Sequence, residues 1–237
     1  MIVPTYGEPI EELNNIRIED NGEPLVQILE ACPEIRFAAE HPKFPNIQRT
    51  CWARKTVAEM LCKAQSYLPE GYHVEVQDAY RSMESQKALF RMVCEELELK
   101  NPEWTEAELL EHTNEFVADP YVKAPPPHTT GGAVDLTLVD DSGSKIDMTS
   151  PYGWDEVTAP TSFPGISKEA RNNRRILISA MSKAGFTNYL GEWWHWSYGD
   201  SAWALRTGRD TAIYGQLDGL PTNDPAGTCT SERSASP

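Results

Sequence analysis

The apolar positions of this chain repeat with two different periods, and their succession predicts a mixed fold. From Trp52 to Leu68, the residues Val57, Met60, Leu61, Ala64 and Leu68 recur at three- and four-residue spacing. That spacing predicts a helix, ended by Pro69-Glu-Gly71. Tyr72 to Ala79 then alternates, with Tyr72, Val74 and Val76 against His73, Glu75 and Gln77, as a strand with one buried face does. It delivers Asp78-Ala-Tyr-Arg81 to a second predicted helix, about Met83 to Leu99, with Ser82 as its N-cap. Thr105-Glu-Ala-Glu108 has the form of a capping box that opens a third helix, reaching to about Val117. Prolines 125, 126 and 127 remove successive backbone donors, which excludes helix and central strand and leaves a rigid approach to His128. Ala133 to Val139 alternates again, with Val134, Leu136 and Leu138 on one face and Asp135 on the other. A turn at Asp140-Asp-Ser-Gly143 follows, then a long aperiodic loop from Asp147 to Pro164. Ser167, Gly185 and the apolar set Ala170, Ile176, Leu177, Ala180 and Met181 mark a helix from Lys168 to Ala184. Phe186 to Tyr198 reads as an aromatic strand region.

The flanks are less regular. Residues 1–50 are rich in Pro, Asn, Asp and Glu and are read as an irregular lead-in packed on the core. They carry one or two short elements near the apolar runs Leu25-Val-Gln-Ile-Leu29 and Ile35-Arg-Phe37. Residues 51–214 form the main domain, and 215–237 have the composition of a disordered tail. A net charge of -15 argues against nucleic acid or an anionic membrane as partner, since both reward a basic face. Neither a signal peptide nor a membrane span is readable, and five scattered cysteines without a Cys-x-x-Cys pair fit reduced thiols in a cytoplasmic protein. The composition leaves assembly into a homo-oligomer open.

Chemistry concentrates in two short stretches, His128-Thr-Thr-Gly-Gly-Ala-Val-Asp135 and Gly191-Glu-Trp-Trp-His195. A catalytic zinc needs three nitrogen or oxygen ligands with one position open, together with a carboxylate that accepts a proton without binding the metal. His128, Asp135 and His195 can supply the ligands, and Glu192 the base. Arg81 is the candidate for stabilising a developing oxyanion. The plainer alternatives are a loop histidine at 128, a polar pair on a half-buried strand at 192 and 195, and an ion pair of Arg81 with Asp78 or Glu84. The remaining histidines, His41, His73 and His112, read as surface or packing residues. In a regular strand Glu192 and His195 would face opposite ways, so the two must sit at a strand end, a bulge or a helical turn.

His128-x6-Asp135, Glu192-x-x-His195 and Asp78-x-Tyr-Arg81 together resemble the zinc D-alanyl-D-alanine dipeptidases, the VanX-like metallopeptidases, over about residues 50–205. The resemblance implies an α+β fold, a small central antiparallel sheet flanked by helices, with a single zinc site. It implies one Zn2+ per chain on His128, Asp135 and His195, Glu192 as general base and Arg81 as transition-state stabiliser. The implied reaction is hydrolysis of a small dipeptide, D-alanyl-D-alanine by default. The alternatives are a zinc amide hydrolase acting on another dipeptide-like molecule and a zinc-stabilised binding module without turnover, which would need neither Glu192 nor Arg81. The substrate-side pattern departs from the family. Pro126 stands where the family has Ser, Ser82 where it has Pro, and Gly153 where an aspartate holds the substrate ammonium. Asp155, Tyr152 and Trp194 are the candidate substrate residues. Either Asp155 reaches in from a rearranged loop, or the ammonium site is absent and N-acylated dipeptides are accepted.

Overall fold

Hydrophobic alternation in two long strands builds the centre of the molecule, seen here in a computed structural model that describes residues 7–38, 40, 47–149 and 158–221. In chain order the lead-in gives α1 (Ile10–Asn15), β1 (Arg17–Ile18), β2 (Leu25–Gln27), α2 (Ile28–Ala31) and β3 (Arg36–Phe37). The main body continues with β4 (Trp52–Arg54), α3 (Lys55–Ser66), β5 (Tyr72–Asp78), α4 (Met83–Lys100) and α5 (Glu106–Phe116). A one-turn 3-10 helix (Pro127–Thr130) leads into β6 (Ala133–Asp140), α6 (Lys168–Ala184), β7 (Thr187–Asn188), β8 (His195–Ser197), α7 (Ser201–Arg206) and β9 (Thr211–Ala212).

β5 and β6 pair antiparallel from Tyr72↔Asp140 to Asp78↔Asp135, with a register shift between Val76 and Asp78. They form the middle of a five-stranded sheet of order β3-β5-β6-β8-β7. Val74, Val76, Val134, Leu136 and Leu138 are fully buried and share one core with Val57, Met60 and Leu61 of α3 and Leu177 and Met181 of α6. The opposite face of β6 carries Asp135, and that face is where the site lies. A second apolar cluster, Leu89, Phe90, Val93 and Leu97 with Val117, holds α4 and α5 together.

Predicted capping governs the helix ends. Ser82 accepts from the Ser85 N–H, Thr105 and Glu108 complete a reciprocal capping box, and Gly185 closes α6 in the left-handed region at φ 105°. Pro127 occupies the first position of the 3-10 turn, where a missing N–H is harmless.

Three expectations need correction. The helix predicted from Trp52 begins only at Lys55, because Trp52–Arg54 pairs antiparallel with Leu25–Gln27, while Trp52 O also accepts from the Tyr80 N–H. Backbone partners brought in from elsewhere in the chain outweighed the local helical period. The sheet is not wholly antiparallel, since β3 joins its edge parallel to β5. Among the described residues the lead-in holds five short elements rather than one or two, and each of its strands pairs with a different part of the body: β1 with β9, β2 with β4, β3 with β5.

Arg54 ties these pieces together. Its guanidinium is buried, with Nε donating to Thr130 O at 2.8 Å, Nη1 to Glu23 O at 2.6 Å and Nη2 to Asp20 Oδ2 at 2.6 Å. Nη2 also reaches Gly215 O at 3.2 Å, at the start of the predicted tail. That stretch opens with further hydrogen bonds, Gly215 N–H to Asp20 and Leu217 N–H to Thr129 O, and residues 222–237 lie outside the described residues.

Candidate metal centre

The candidate site residues lie at element ends or, for Asp135, inside a strand. Arg81 lies between β5 and α4, His128 in the 3-10 turn before β6, Asp135 within β6, and His195 at the first position of β8. The strand difficulty at 192 and 195 is resolved by a turn. Glu192 N–H donates to Tyr189 O at 3.1 Å and His195 N–H donates to Glu192 O at 3.2 Å, so Glu192 is outside β8 and free of its alternation. The turn is anchored from outside as well, since Trp193 N–H donates to Ala159 O at 3.0 Å.

The pairing of Asp135 with His195 across β6 and β8, and the turn at His128, bring ligand atoms of all three residues within 4.8 Å of one another. His128 Nε2 is 3.3 Å from Asp135 Oδ2, and His195 Nδ1 is 2.9 Å from Asp135 Oδ1. His128 Nδ1 lies 2.7 Å from Ala79 O, which directs the other ring nitrogen toward the cluster and fixes the ring. The donors are nitrogen and oxygen with no thiolate, three in number, and open to a cavity on one side. That is the donor set of a catalytic zinc rather than a closed structural one, so the residues present fit the ion.

The electrostatics sort the two carboxylates. Burial alone would raise the pKa of Asp135, but the imidazoles of His128 and His195 outweigh it and hold the group well below the ordinary value. Glu192 moves the other way. Burial, then the charge of Asp135, raise its pKa well above that of an ordinary glutamate, against Arg81 and a Trp194 hydrogen bond. For His128 burial works downward but Asp135 prevails and the pKa is raised, whereas for His195 burial prevails and it is lowered. The two carboxylates are thus pushed in opposite directions, Asp135 by the imidazoles beside it and Glu192 by burial and the charge of Asp135.

Arg81 is buried, and its Nε and Nη2 donate to Asp78 Oδ2 at 3.0 and 2.6 Å. The ion pair weighed as an alternative is therefore present. It fixes a guanidinium that lines the same cavity as Glu192, His128, Asp135 and His195, so the two readings are compatible. Gln86, absent from the sequence reading, accepts from Arg81 Nη1 at 2.8 Å and donates to Ala118 O at 2.8 Å. The signal for it was a polar residue continuing the apolar stripe Leu89, Phe90, Val93 and Leu97 of α4. Tyr189 was missed too, and its ring meets that of His195 edge-on at 6.1 Å.

Arg174 is a third omission. This buried residue donates to Met148 O, Thr158 O and Pro160 O at 2.7–3.1 Å, and lies 5.5 Å from the Trp193 ring centre. It thereby joins the two described ends of the predicted long loop to the turn carrying Glu192. Of the candidate substrate residues, Trp194 is buried, lines the cavity and bonds Glu192. Tyr152 and Asp155, like Gly153, lie outside the described residues, as does His41. His73 is held by Asp141 at 2.8 Å, while His112 stacks on Trp104 with ring centres 4.2 Å apart and lines the far part of the cavity.

Comparison with known proteins gives the family. The family model described as D-Ala-D-Ala dipeptidase, peptidase M15, matches residues 39–211. The D-alanyl-D-alanine dipeptidase of Synechocystis sp. is 28% identical, covering 84% of this chain and 92% of that one. The enzyme of the same name from Escherichia coli is 26% identical over 75% and 86% of the two chains. That from Enterococcus faecium is 30% identical over 59% and 69%. With a family match that spans most of its length, the chain belongs to the M15 family of D-Ala-D-Ala dipeptidases.

Proposed function

We propose that this protein is a zinc metallopeptidase that hydrolyses the peptide bond of D-alanyl-D-alanine, a cell-wall building unit, with one zinc ion per chain on His128, Asp135 and His195. The observation that carries the reading is the convergence of these three side chains, within 4.8 Å of one another, on a cavity that Glu192 and Arg81 also line. Zinc held there supplies Lewis acidity toward the scissile carbonyl and the attacking water. Glu192, which lines the same cavity as the three ligand side chains, takes the proton from that water and later passes it to the leaving amine. Arg81, held by Asp78 and Gln86, presents positive charge to the oxygen that becomes anionic. Trp194 steadies Glu192 through its hydrogen bond.

The supports are the family match and this geometry. A cytoplasmic setting is supported by free thiols at Cys32, Cys51, Cys62 and Cys94. Among the described residues no helix is long and apolar enough to cross a membrane. The deciding experiment is zinc-loaded protein assayed against Ala-Ala in its LL, LD, DL and DD forms. Release of alanine from the DD isomer above the other three is expected, and equal or absent release from all four overturns the reading.

A further inference from the structure

The turn from Glu192 to His195 carries the proposed base at one end and a proposed metal ligand at the other, with Trp193 and Trp194 between them. It lies between two short strands, β7 of two residues and β8 of three, so little ladder pairing holds it. The backbone bond that closes it, His195 N–H to Glu192 O, is long at 3.2 Å. Asn188, the last residue of β7, braces it from the side. Its Nδ2 donates to Glu192 O at 3.0 Å and to His195 O at 2.9 Å. A side-chain amide nitrogen carries two hydrogens, and a carbonyl only accepts, so the two donors match the two ends of the turn.

The brace is itself held. Asn188 Oδ1 accepts from Thr161 Oγ1 at 2.6 Å, which keeps the amide oxygen toward Thr161 and the nitrogen toward the turn. Thr161 N–H donates to Leu190 O, and Ala159 O accepts from Trp193 N–H, each at 3.0 Å. Arg174 of α6 fixes the same segment by donating to Thr158 O and Pro160 O, each at 2.7 Å. The turn, Asn188 and the segment 158–161 thus close a ring of hydrogen bonds in which the Asn188 amide spans both ends of the turn.

We infer that Asn188 is a positioning residue: by holding the backbone of Glu192 and of His195 at a set separation, its amide places the Glu192 carboxylate relative to the three ligand side chains. This rests on the roles proposed above for Glu192 and His195. A displacement of about 1 Å in a catalytic group can cost on the order of a hundredfold in rate, so a brace made of two neutral hydrogen bonds is enough to matter.

The test uses Asn188→Ala and Asn188→Asp. The second keeps the shape and the acceptor for Thr161 but, when ionised, offers no donor to either carbonyl. Two measurements are made: kcat and KM for D-Ala-D-Ala with the zinc-loaded proteins, and the visible absorption of the cobalt(II)-substituted proteins, which reports the ligand geometry around His195. Both variants are expected to lose about tenfold in kcat with KM held within about twofold, and to show shifted cobalt bands. In a Glu192→Gln background the loss in kcat is expected to disappear, because Asn188 acts through Glu192. Should Asn188→Ala fail to fold, Thr161→Val, which removes the hydroxyl that holds the amide, takes its place in the same cycle. Wild-type kcat in both Asn188 variants, or a loss that persists in full beside Glu192→Gln as a merely structural defect would, overturns the proposal and leaves the dipeptidase reading standing. If the wild-type protein itself does not hydrolyse D-Ala-D-Ala, the dipeptidase reading falls and the cobalt spectra decide: shifted bands in Asn188→Asp support the brace, and bands identical to wild type overturn it.

Discussion

At the scale of single residues, the proposed division of labour makes sharp demands on Glu192 and Arg81. Glu192→Gln keeps shape and removes the proton acceptor. It is expected to retain zinc by elemental analysis and to lose roughly a hundredfold or more in kcat. Arg81→Lys keeps the charge but not the planar fork that Asp78 and Gln86 hold from two sides, so it is expected to recover little of the activity lost in Arg81→Ala. Gln86→Leu removes one of those holds. Its expected effect is a fall of about tenfold in kcat that disappears in an Arg81→Ala background, because groups acting as one unit are not additive. Additive effects in that double-mutant cycle would give Gln86 a role of its own.

At the scale of elements, the lead-in and the turn that carries His128 are linked through Arg54. Removing this buried guanidinium leaves Asp20 and several carbonyls without their donor, and Arg54→Met is expected to destabilise the fold by about 3–5 kcal/mol in chemical denaturation. The same cluster makes stability fall in acid. Burial tends to raise the pKa of Asp20 and Glu23, but hydrogen bonds from Gly22, Gly215 and Arg54 on the first, and from Thr56 and Tyr214 on the second, lower both. Groups whose folded pKa is lowered stabilise fully above their unfolded pKa, near 4, and lose that contribution as pH falls through the folded value. Thermal scans from pH 6 downward should therefore show a decline beginning near pH 4–5, and a smaller one in Arg54→Met. Gly132, at the entry to β6, has a different constraint. A Cβ there would sit 2.5 Å from Tyr198 O, so Gly132→Ala is expected to push β6 from β8 and lower zinc content together with Tm.

At the scale of the whole molecule, the proposed metal centre joins two distant parts of the chain: the stretch from the turn at His128 into strand β6, and strand β8. An ion that binds the folded state and not the unfolded one stabilises the fold by mass action. Chelation is expected to lower Tm by several degrees, with recovery on adding zinc. His128→Ala and His195→Ala should show the lowered Tm with no response to zinc. Full zinc occupancy in either variant would remove that residue from the ligand set.

How much of this was legible in the chain depends on how local the determining interactions are. Helix α6, the N-caps of α4 and α5, and the buried faces of β5 and β6 follow from periodicity and from side chains that bond their own helix ends. These forces act within a few residues and are written in adjacent letters. The candidate ligand set could be proposed for another reason, since metal chemistry restricts residue types so narrowly that two short motifs suffice to suggest it, and the structure brings its three side chains together. What only the tertiary structure decided involves partners far apart in sequence. Trp52–Arg54 became a strand because Leu25–Gln27 offered backbone pairing, β3 joined the sheet in parallel, and Glu192 left the strand through a turn pinned by Ala159. The contacts of Gln86 and Arg174 are of the same kind. Each depends on groups well separated in sequence meeting across a packed interior, as Gln86 meets Ala118 and Arg174 meets Met148. Periodicity carries no term for such meetings, because burial and hydrogen-bond satisfaction are settled only when the whole chain has closed around them.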